Sequence, residues 1–294
     1  MEIEALTEPE KVSKISPLDK GSLIHSILWE FFTDLKKARG DRLSLEQKDL
    51  KRLLKIADEE FIKFEQMGVT GYPMLWEVEK KSILDDLIYL FNEELGNKDF
   101  VPTYFEVSYG MKLPGSQKCE ISSEKPILIT LGGQKISLRG RIDRIDLKEE
   151  GGRVKAKVID YKSGGTYAKQ NDFQGGTTLQ LPLYLYASEH LLKHLHKDIE
   201  VECAEYYYLQ ERRKKRHVRF ESTELKKREG DLHSIIKTIT GGIEEGMFIA
   251  RPNPLCRNCD FKLVCGTWSR FLFDRKKTDP RVKEYLKMRG EEDV

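Results

Sequence analysis

Apolar side chains recur at three- and four-residue spacings near the start of the chain. Leu23, Ile24, Ile27, Leu28, Phe31, Phe32 and Leu35 fall on one face of a helix. Ser16 is a natural N-cap ahead of Pro17, because proline lacks only an N–H that the first helical turn leaves unpaired anyway. A second helix is expected from Ser44, with Gln47 placed to complete a capping box. Its stripe runs through Leu50, Leu53, Leu54, Ile56, Ala57, Phe61 and Ile62. A third helix is expected over residues 74–95. The period then changes to two. Strands are predicted at 103–109, 127–131, 135–147 and 154–162, separated by glycine pairs such as Gly132-Gly133 and Gly151-Gly152. A helix over 179–195, a strand over 199–209 and a helix over 224–245 follow. With no internal repeat and no long linker, the order predicts one α/β domain over residues 1–294, a central mixed β-sheet flanked by helices. It divides into a helical N-terminal part (16–95), a core (100–245) and a cysteine-containing segment (246–270).

The hairpin between residues 140 and 164 carries the chemistry. Gly151-Gly152 supplies the positive φ that two-residue hairpin turns need, which pairs Glu150 with Arg153. Counting back, Asp143 falls opposite Asp160, Ile145 opposite Val158, and Leu147 opposite Ala156, all on one face. Lys162 stays on that face. The other face carries Arg144, Asp146, Lys148, Lys155 and Lys157 and reads as solvated or lightly covered. Opposed carboxylates have Cβ atoms about 4.5–5.5 Å apart and repel. At the margin of a buried face, one protonates or both share a cation. Oxygen ligands of this kind suit Mg²⁺ or Mn²⁺. Such an ion activates water and stabilises charge on a phosphate, and a lysine ammonium beside it can orient the water. The layout supports phosphodiester hydrolysis. A blander reading stands beside it: Asp143 pairs with Arg141 or Arg144 at the surface, or the register slips by one residue and separates the carboxylates.

Bulk properties change this little. A net charge of +2 does not mark a nucleic-acid binder, but 51 Lys and Arg leave room for a local basic groove. Glu211-Arg-Arg-Lys-Lys-Arg216 with His217, and Arg275 to Lys277, read either as phosphate contacts or as solvated segments. Tyr206, Tyr207 and Tyr208 alternate faces in a strand and read as core rather than a base-stacking platform. No stretch reaches the roughly 18 apolar residues of a membrane span, and the N-terminus has no signal-peptide pattern, so a cytoplasmic protein without a membrane partner is expected. Five cysteines, an odd number, argue against a secreted disulfide framework. Cys256, Cys259 and Cys265 form a C-x2-C-x5-C cluster, in a loop marked by Pro252, Pro254 and Asn258, whose thiolates suit zinc or an iron–sulfur cluster. No G-x-x-x-x-G-K-[ST] loop is present, so an ATP-driven motor would belong to another chain or segment.

The runs Gly140-Arg-Ile-Asp143, Val158-Ile-Asp160-Tyr-Lys162-Ser-Gly164 and Gln180-Leu-Pro-Leu-Tyr184 resemble the motifs of the PD-(D/E)xK nuclease superfamily, in its RecB-like branch. Gly21-Ser-Leu-Ile-His25 resembles the early G-x-x-x-H motif of that branch; one departure is Ile142 in place of proline before Asp143. The resemblance implies a restriction-endonuclease-like core and a Mg²⁺- or Mn²⁺-dependent nuclease acting on single-stranded DNA or duplex ends. It also implies an exonuclease role in DNA repair or recombination beside a helicase subunit or domain. It makes His25, Asp143, Asp160 and the Tyr161 carbonyl metal ligands and Lys162 the catalytic lysine, with Gln180 and Tyr184 positioning lysine or substrate. Without it, His25 reads as an ordinary packing residue, and Gln180 and Tyr184 as helix packing. Glu106 stands as either an additional acid of the site or an exposed strand residue. The three C-terminal cysteines, with Phe261 between the last two, resemble the AddB-type [4Fe–4S] staple, whose fourth cysteine precedes the first helix. Here no cysteine precedes Gly21, and Cys119 and Cys203 lie elsewhere. The expectation is a fragment with an artificial start at Met1, in which the cluster is absent or incomplete. A catalytically inactive DNA-binding or structural module of the same fold, and a metal-binding domain built on the cysteines, are the competing classes.

Overall fold

The computed structural model describes residues 13–40, 43–97, 99–112, 119–164, 169–210, 217–253, 256–257, 259 and 262–291. Helix α1 (Pro17–Arg39) starts as its sequence dictates: the Ser16 side chain accepts the Asp19 N–H, and the buried residues are the seven of the apolar stripe. Helix α2 (Asp49–Gln66) starts later than expected. Ser44 does not cap it; instead Asp49 reaches back to accept the Glu46 N–H and both guanidinium nitrogens of Arg39 at 2.7 and 2.8 Å. A charged pair thus outcompetes the hydroxyl for the turn. Helix α3 (Pro73–Gly96) completes the N-terminal layer.

Five strands form the main sheet in the order β1-β4-β5-β6-β7: β1 (Val101–Tyr109), β4 (Gly140–Glu150), β5 (Arg153–Lys162), β6 (Ile199–Tyr208) and β7 (His217–Glu221). Only β5 and β6 run parallel, and helix α4 (Gln180–Leu192) makes the crossover that a parallel pair requires. Strands β2 (Ile127–Leu131) and β3 (Gln134–Leu138) form a separate hairpin. The single strand expected over 135–147 is therefore two, broken at Arg139, and β3 and β4 serve different sheets. The expected helix over 224–245 is likewise split at Arg228 into α5 (Ser222–Lys227) and α6 (Glu229–Glu244). Short helices α7 (Lys262–Cys265), α8 (Ser269–Lys276) and α9 (Lys283–Met288) follow. Among the described residues no helix is long and apolar enough to cross a membrane.

Side-chain alternation splits the core into two layers. Ile159, Tyr161 and Tyr207 pack against Phe31, Phe32 and Phe91 of the N-terminal helices. Ile145, Val158 and Ala204 pack on the other side against Leu181 and Leu185 of α4 and Leu232 of α6. Both faces are covered, which corrects the expectation of a solvated or lightly covered face on β4 and β5. Arg144 and Asp146 are fully buried and Lys157 is buried, although Lys148 and Lys155 nearer the turn are partly open. Alternation specifies polarity but not cover. Here the charges tolerate burial by pairing: Arg144 holds both Asp146 oxygens at 2.5 and 2.7 Å and Glu94 at 2.8 Å. Tyr206, Tyr207 and Tyr208 are buried as expected of core residues.

Candidate active site

The hairpin register is the one that Gly151-Gly152 implies, from Glu150↔Arg153 to Arg144↔Ile159. The β4–β5 ladder stops there, one step short of Asp143 and Asp160. Beyond it β5 continues beside β6 through Lys162↔Tyr208, while the Tyr161 N–H donates to Asp143 Oδ2 at 2.7 Å. On the other side of β4, the pairs Phe105↔Arg144 and Val107↔Ile142 leave Glu106 between them with a φ of 50°. A non-glycine residue held in this left-handed region is strained, and such strain concentrates at functional sites. The fork in the sheet thereby gathers three buried carboxylates, Glu106, Asp143 and Asp160.

Helix α1 brings His25 over this cluster. Its Nδ1 lies 3.3 Å from Asp143 Oδ1 and 3.8 Å from Glu106 Oε1, and its Nε2 lies 3.3 Å from the Tyr161 carbonyl oxygen. Arg141 Nε closes the far side of Glu106 at 2.7 Å. From β5, Lys162 Nζ approaches Asp160 Oδ2 at 2.6 Å and donates to Gln180 Oε1 at 3.2 Å. Gln180 Nε2 donates to Asp160 Oδ1 at 2.7 Å and to the Tyr184 oxygen at 2.8 Å, and the Tyr184 hydroxyl donates to the Arg141 carbonyl at 2.7 Å. Gln180 and Tyr184, one turn apart on α4, thus tie Lys162 and Asp160 to the start of β4. A groove of about 510 Å³ runs along α1 past Leu18, Ser22, His25 and Trp29 to Glu106 and Arg141.

Burial and clustered negative charge together shift four groups of the site. Burial and the Asp143 charge raise the Asp160 carboxyl to about 6, against the opposing pull of Lys162. Burial and Asp143 raise Glu106 to about 7, with Arg141 and His25 opposing. Burial alone would lower His25, but the Asp143 hydrogen bond and the surrounding carboxylates outweigh it and raise the imidazole to about 9. Burial, then the Asp160 and Asp143 charges, push the Tyr184 phenol far up, so it stays a donor.

These residues fit a hard divalent cation. One ligand atom each from His25, Glu106 and Asp143 lies within 4.8 Å of the others, the only such trio among the described residues. Glu106 Oε2 and Asp160 Oδ2 are buried, and their close polar neighbours are the cations Arg141 and Lys162. Carboxylate oxygens with one imidazole suit Mg²⁺ or Mn²⁺ better than a soft metal. Glu106 is the group that sequence reasoning left open; its signal was an acid between Phe105 and Val107, inside an apolar strand.

The cysteines are not gathered in this way. Cys256 sits half-buried in a turn, where its Sγ accepts the Asn253 N–H at 3.3 Å; Cys259 is exposed, and Cys265 ends α7. Cys119 is half-buried, Cys203 is buried in β6, and all five thiols are free. Pro254, Asn258, Phe261 and residues 211–216 lie outside the described residues. His217 is directed inward, with its ring on Tyr207 and its nitrogens on Glu205 and Glu93. Lys277 pairs with Asp274 and Glu291.

A mixed sheet flanked by helices, with acidic residues and a lysine where two central strands part, is a restriction-endonuclease-like α/β core. The chain belongs to the PD-(D/E)XK nuclease superfamily, whose family model matches residues 2–266. Among curated proteins, an ATP-dependent helicase/deoxyribonuclease subunit of Clostridium botulinum (strain Hall) is 31% identical over 183 residues, covering 60% of this chain and 15% of that protein. The corresponding protein of Thermoanaerobacter sp. (strain X514) is 29% identical over 181 residues, with the same shares. That of Symbiobacterium thermophilum is 39% identical over 114 residues, 38% of this chain and 9% of that protein. The chain spans about 15% of the length of the first two relatives.

Proposed function

We propose that this chain is a Mg²⁺- or Mn²⁺-dependent deoxyribonuclease that hydrolyses DNA phosphodiester bonds, working as the exonuclease part of a helicase–nuclease in DNA repair or recombination. The observation that carries the reading is the convergence of His25, Glu106 and Asp143 within 4.8 Å, with the Asp160–Lys162 pair beside them. Family membership and the helicase/deoxyribonuclease names of the relatives support it.

His25, Asp143, Asp160 and the Tyr161 carbonyl would hold the cation, with Glu106 as a further carboxylate. Bound there, such an ion supplies Lewis-acid stabilisation of the phosphate and lowers the pKa of a water. Lys162 orients the attacking water and offsets charge that builds on the phosphate. Gln180 fixes Lys162 against Asp160, and Tyr184 anchors Gln180 to the β4 backbone. The α1 groove gives a DNA strand access to the cluster, with the Arg141 guanidinium at its wall. Cys256, Cys259 and Cys265 take no part in this chemistry.

The test is cleavage of end-labelled single- and double-stranded DNA with Mg²⁺, with Mn²⁺ and with EDTA, by the wild type and Asp160→Ala. Metal-dependent cleavage that vanishes in the variant supports the proposal. Equal activity in the two proteins overturns the site. DNA binding without cleavage by the wild type would favour a non-catalytic module. Against that alternative, a scaffold gains nothing from three buried carboxylates that repel one another.

A further inference from the structure

The charged cluster behind the site has no part in the chemistry described so far. Arg144 follows Asp143 on β4 but points to the opposite face, where it is fully buried. Its guanidinium grips both oxygens of Asp146, reaches Glu94, lies 4.6 Å from the Phe32 ring centre, and donates through Nη1 to the Tyr161 hydroxyl at 3.0 Å. Well-packed apolar residues would stabilise such a position as well or better, so a purely structural cluster is an uneconomical choice.

Tyr161 links this cluster to the cation site. Its side chain is pinned on the α1–α3 side by Arg144, while its own peptide faces the site. The N–H holds Asp143 Oδ2 at 2.7 Å, and the carbonyl oxygen lies 3.3 Å from His25 Nε2. This is the stretch where β5 has lost its ladder to β4, so no strand pairing on that side fixes the peptide. We propose that Arg144 and the Tyr161 hydroxyl form a positioning device: their contact through the sheet sets the Tyr161 peptide, and so aims the Asp143 carboxylate and the Tyr161 carbonyl at the cation. The inference rests on the cation site proposed above. Outer groups that orient ligands commonly carry ten- to a hundredfold in metal affinity, by roughly that order.

The test removes one oxygen. Tyr161→Phe keeps the ring that packs against Tyr207 and deletes only the hydroxyl. Tyr207→Phe is the matched control: that hydroxyl is also buried on the same face, but it donates to Glu93 at 2.8 Å, away from the site peptide. Mn²⁺ binding is followed by the electron paramagnetic resonance signal of the free ion, and folding by circular dichroism and Tm. The expected result is a dissociation constant raised roughly tenfold in Tyr161→Phe and unchanged in Tyr207→Phe, with both proteins folded. Wild-type affinity in Tyr161→Phe, or equal weakening in the two variants, overturns the positioning role. No saturable Mn²⁺ binding by the wild type would overturn the cation site itself, and this inference with it.

Discussion

The backbone N–H of Tyr161 donates to the Asp143 carboxylate at 2.7 Å, where the β4–β5 ladder has just ended. A donor that would otherwise pair with the neighbouring strand holds a site carboxylate instead. The divergence of two strands and the placement of the acid are the same structural event. The electrostatics of His25 follow from it, because that carboxylate also faces the imidazole.

His25 in the cation-free protein has its pKa raised to about 9, so it carries a proton at neutral pH. A cation that takes this imidazole must displace that proton. Between pH 7, where Glu106 has lost its proton, and the raised His25 pKa, apparent Mn²⁺ affinity should therefore climb by up to about tenfold per pH unit and then level off. Calorimetric titrations across this range check it, and a flat profile would remove His25 from the ligand set. In Asp143→Asn the largest raising influence is gone, and the His25 resonances should titrate well below 9.

Glu106 holds a φ of 50° that glycine adopts freely. Glu106→Gly relieves that strain, worth on the order of 1 kcal/mol, and removes one of three repelling carboxylates. The variant should melt no lower than the wild type while binding Mn²⁺ more weakly. A lower Tm together with unchanged binding would make Glu106 a structural residue.

Lys162 and Gln180 should separate chemistry from cation binding. Lys162→Met is expected to lower kcat by about 10²–10³, the usual contribution of one preorganised charge-stabilising group, with Mn²⁺ affinity retained. Gln180→Ala should lower kcat by about tenfold, since it only orients Lys162 and Asp160. Single-turnover cleavage under saturating Mn²⁺ reads both effects. A larger loss from Gln180→Ala than from Lys162→Met would reverse the assigned roles.

Glu205 governs part of the acid stability. Its burial would raise the carboxyl, but the His217 hydrogen bond, the Lys157 charge and Arg219 outweigh it and lower the pKa from 4.5 to about 2. A folded pKa below the unfolded one stabilises at higher pH, and that stability is lost as pH falls from 4.5 toward 2. The amount is about 3 kcal/mol in order of magnitude. Glu205→Gln should be clearly less stable than the wild type at neutral pH, and the gap should narrow through that acidic window in urea melts. A gap that stays constant with pH would assign the effect to packing.

The two-residue turn and strict alternation were enough to set the β4–β5 register, which the structure follows from Glu150↔Arg153 to Arg144↔Ile159. Ser16-Pro17 likewise gave the start of α1 and the apolar stripe gave its buried face. These are local properties, set by turn geometry and by the repeat of each element, so they can be read residue by residue. The covering of the opposite face could not be read that way. Arg144 and Asp146 look like surface residues in isolation, and they are buried because Glu94 and Phe32, from distant helices, complete their environment. The start of α2 shifted for the same reason, since Asp49 is claimed by Arg39 of another helix. The break at Arg139 falls where the chain leaves the β2–β3 hairpin for the main sheet, not where its hydrophobic pattern fails. Glu106 joins the site only because β1 lies beside β4, and His25 only because α1 crosses the fork. Contacts between residues far apart in the chain depend on how the layers stack, and a pattern with a period of two or 3.6 residues carries no record of that.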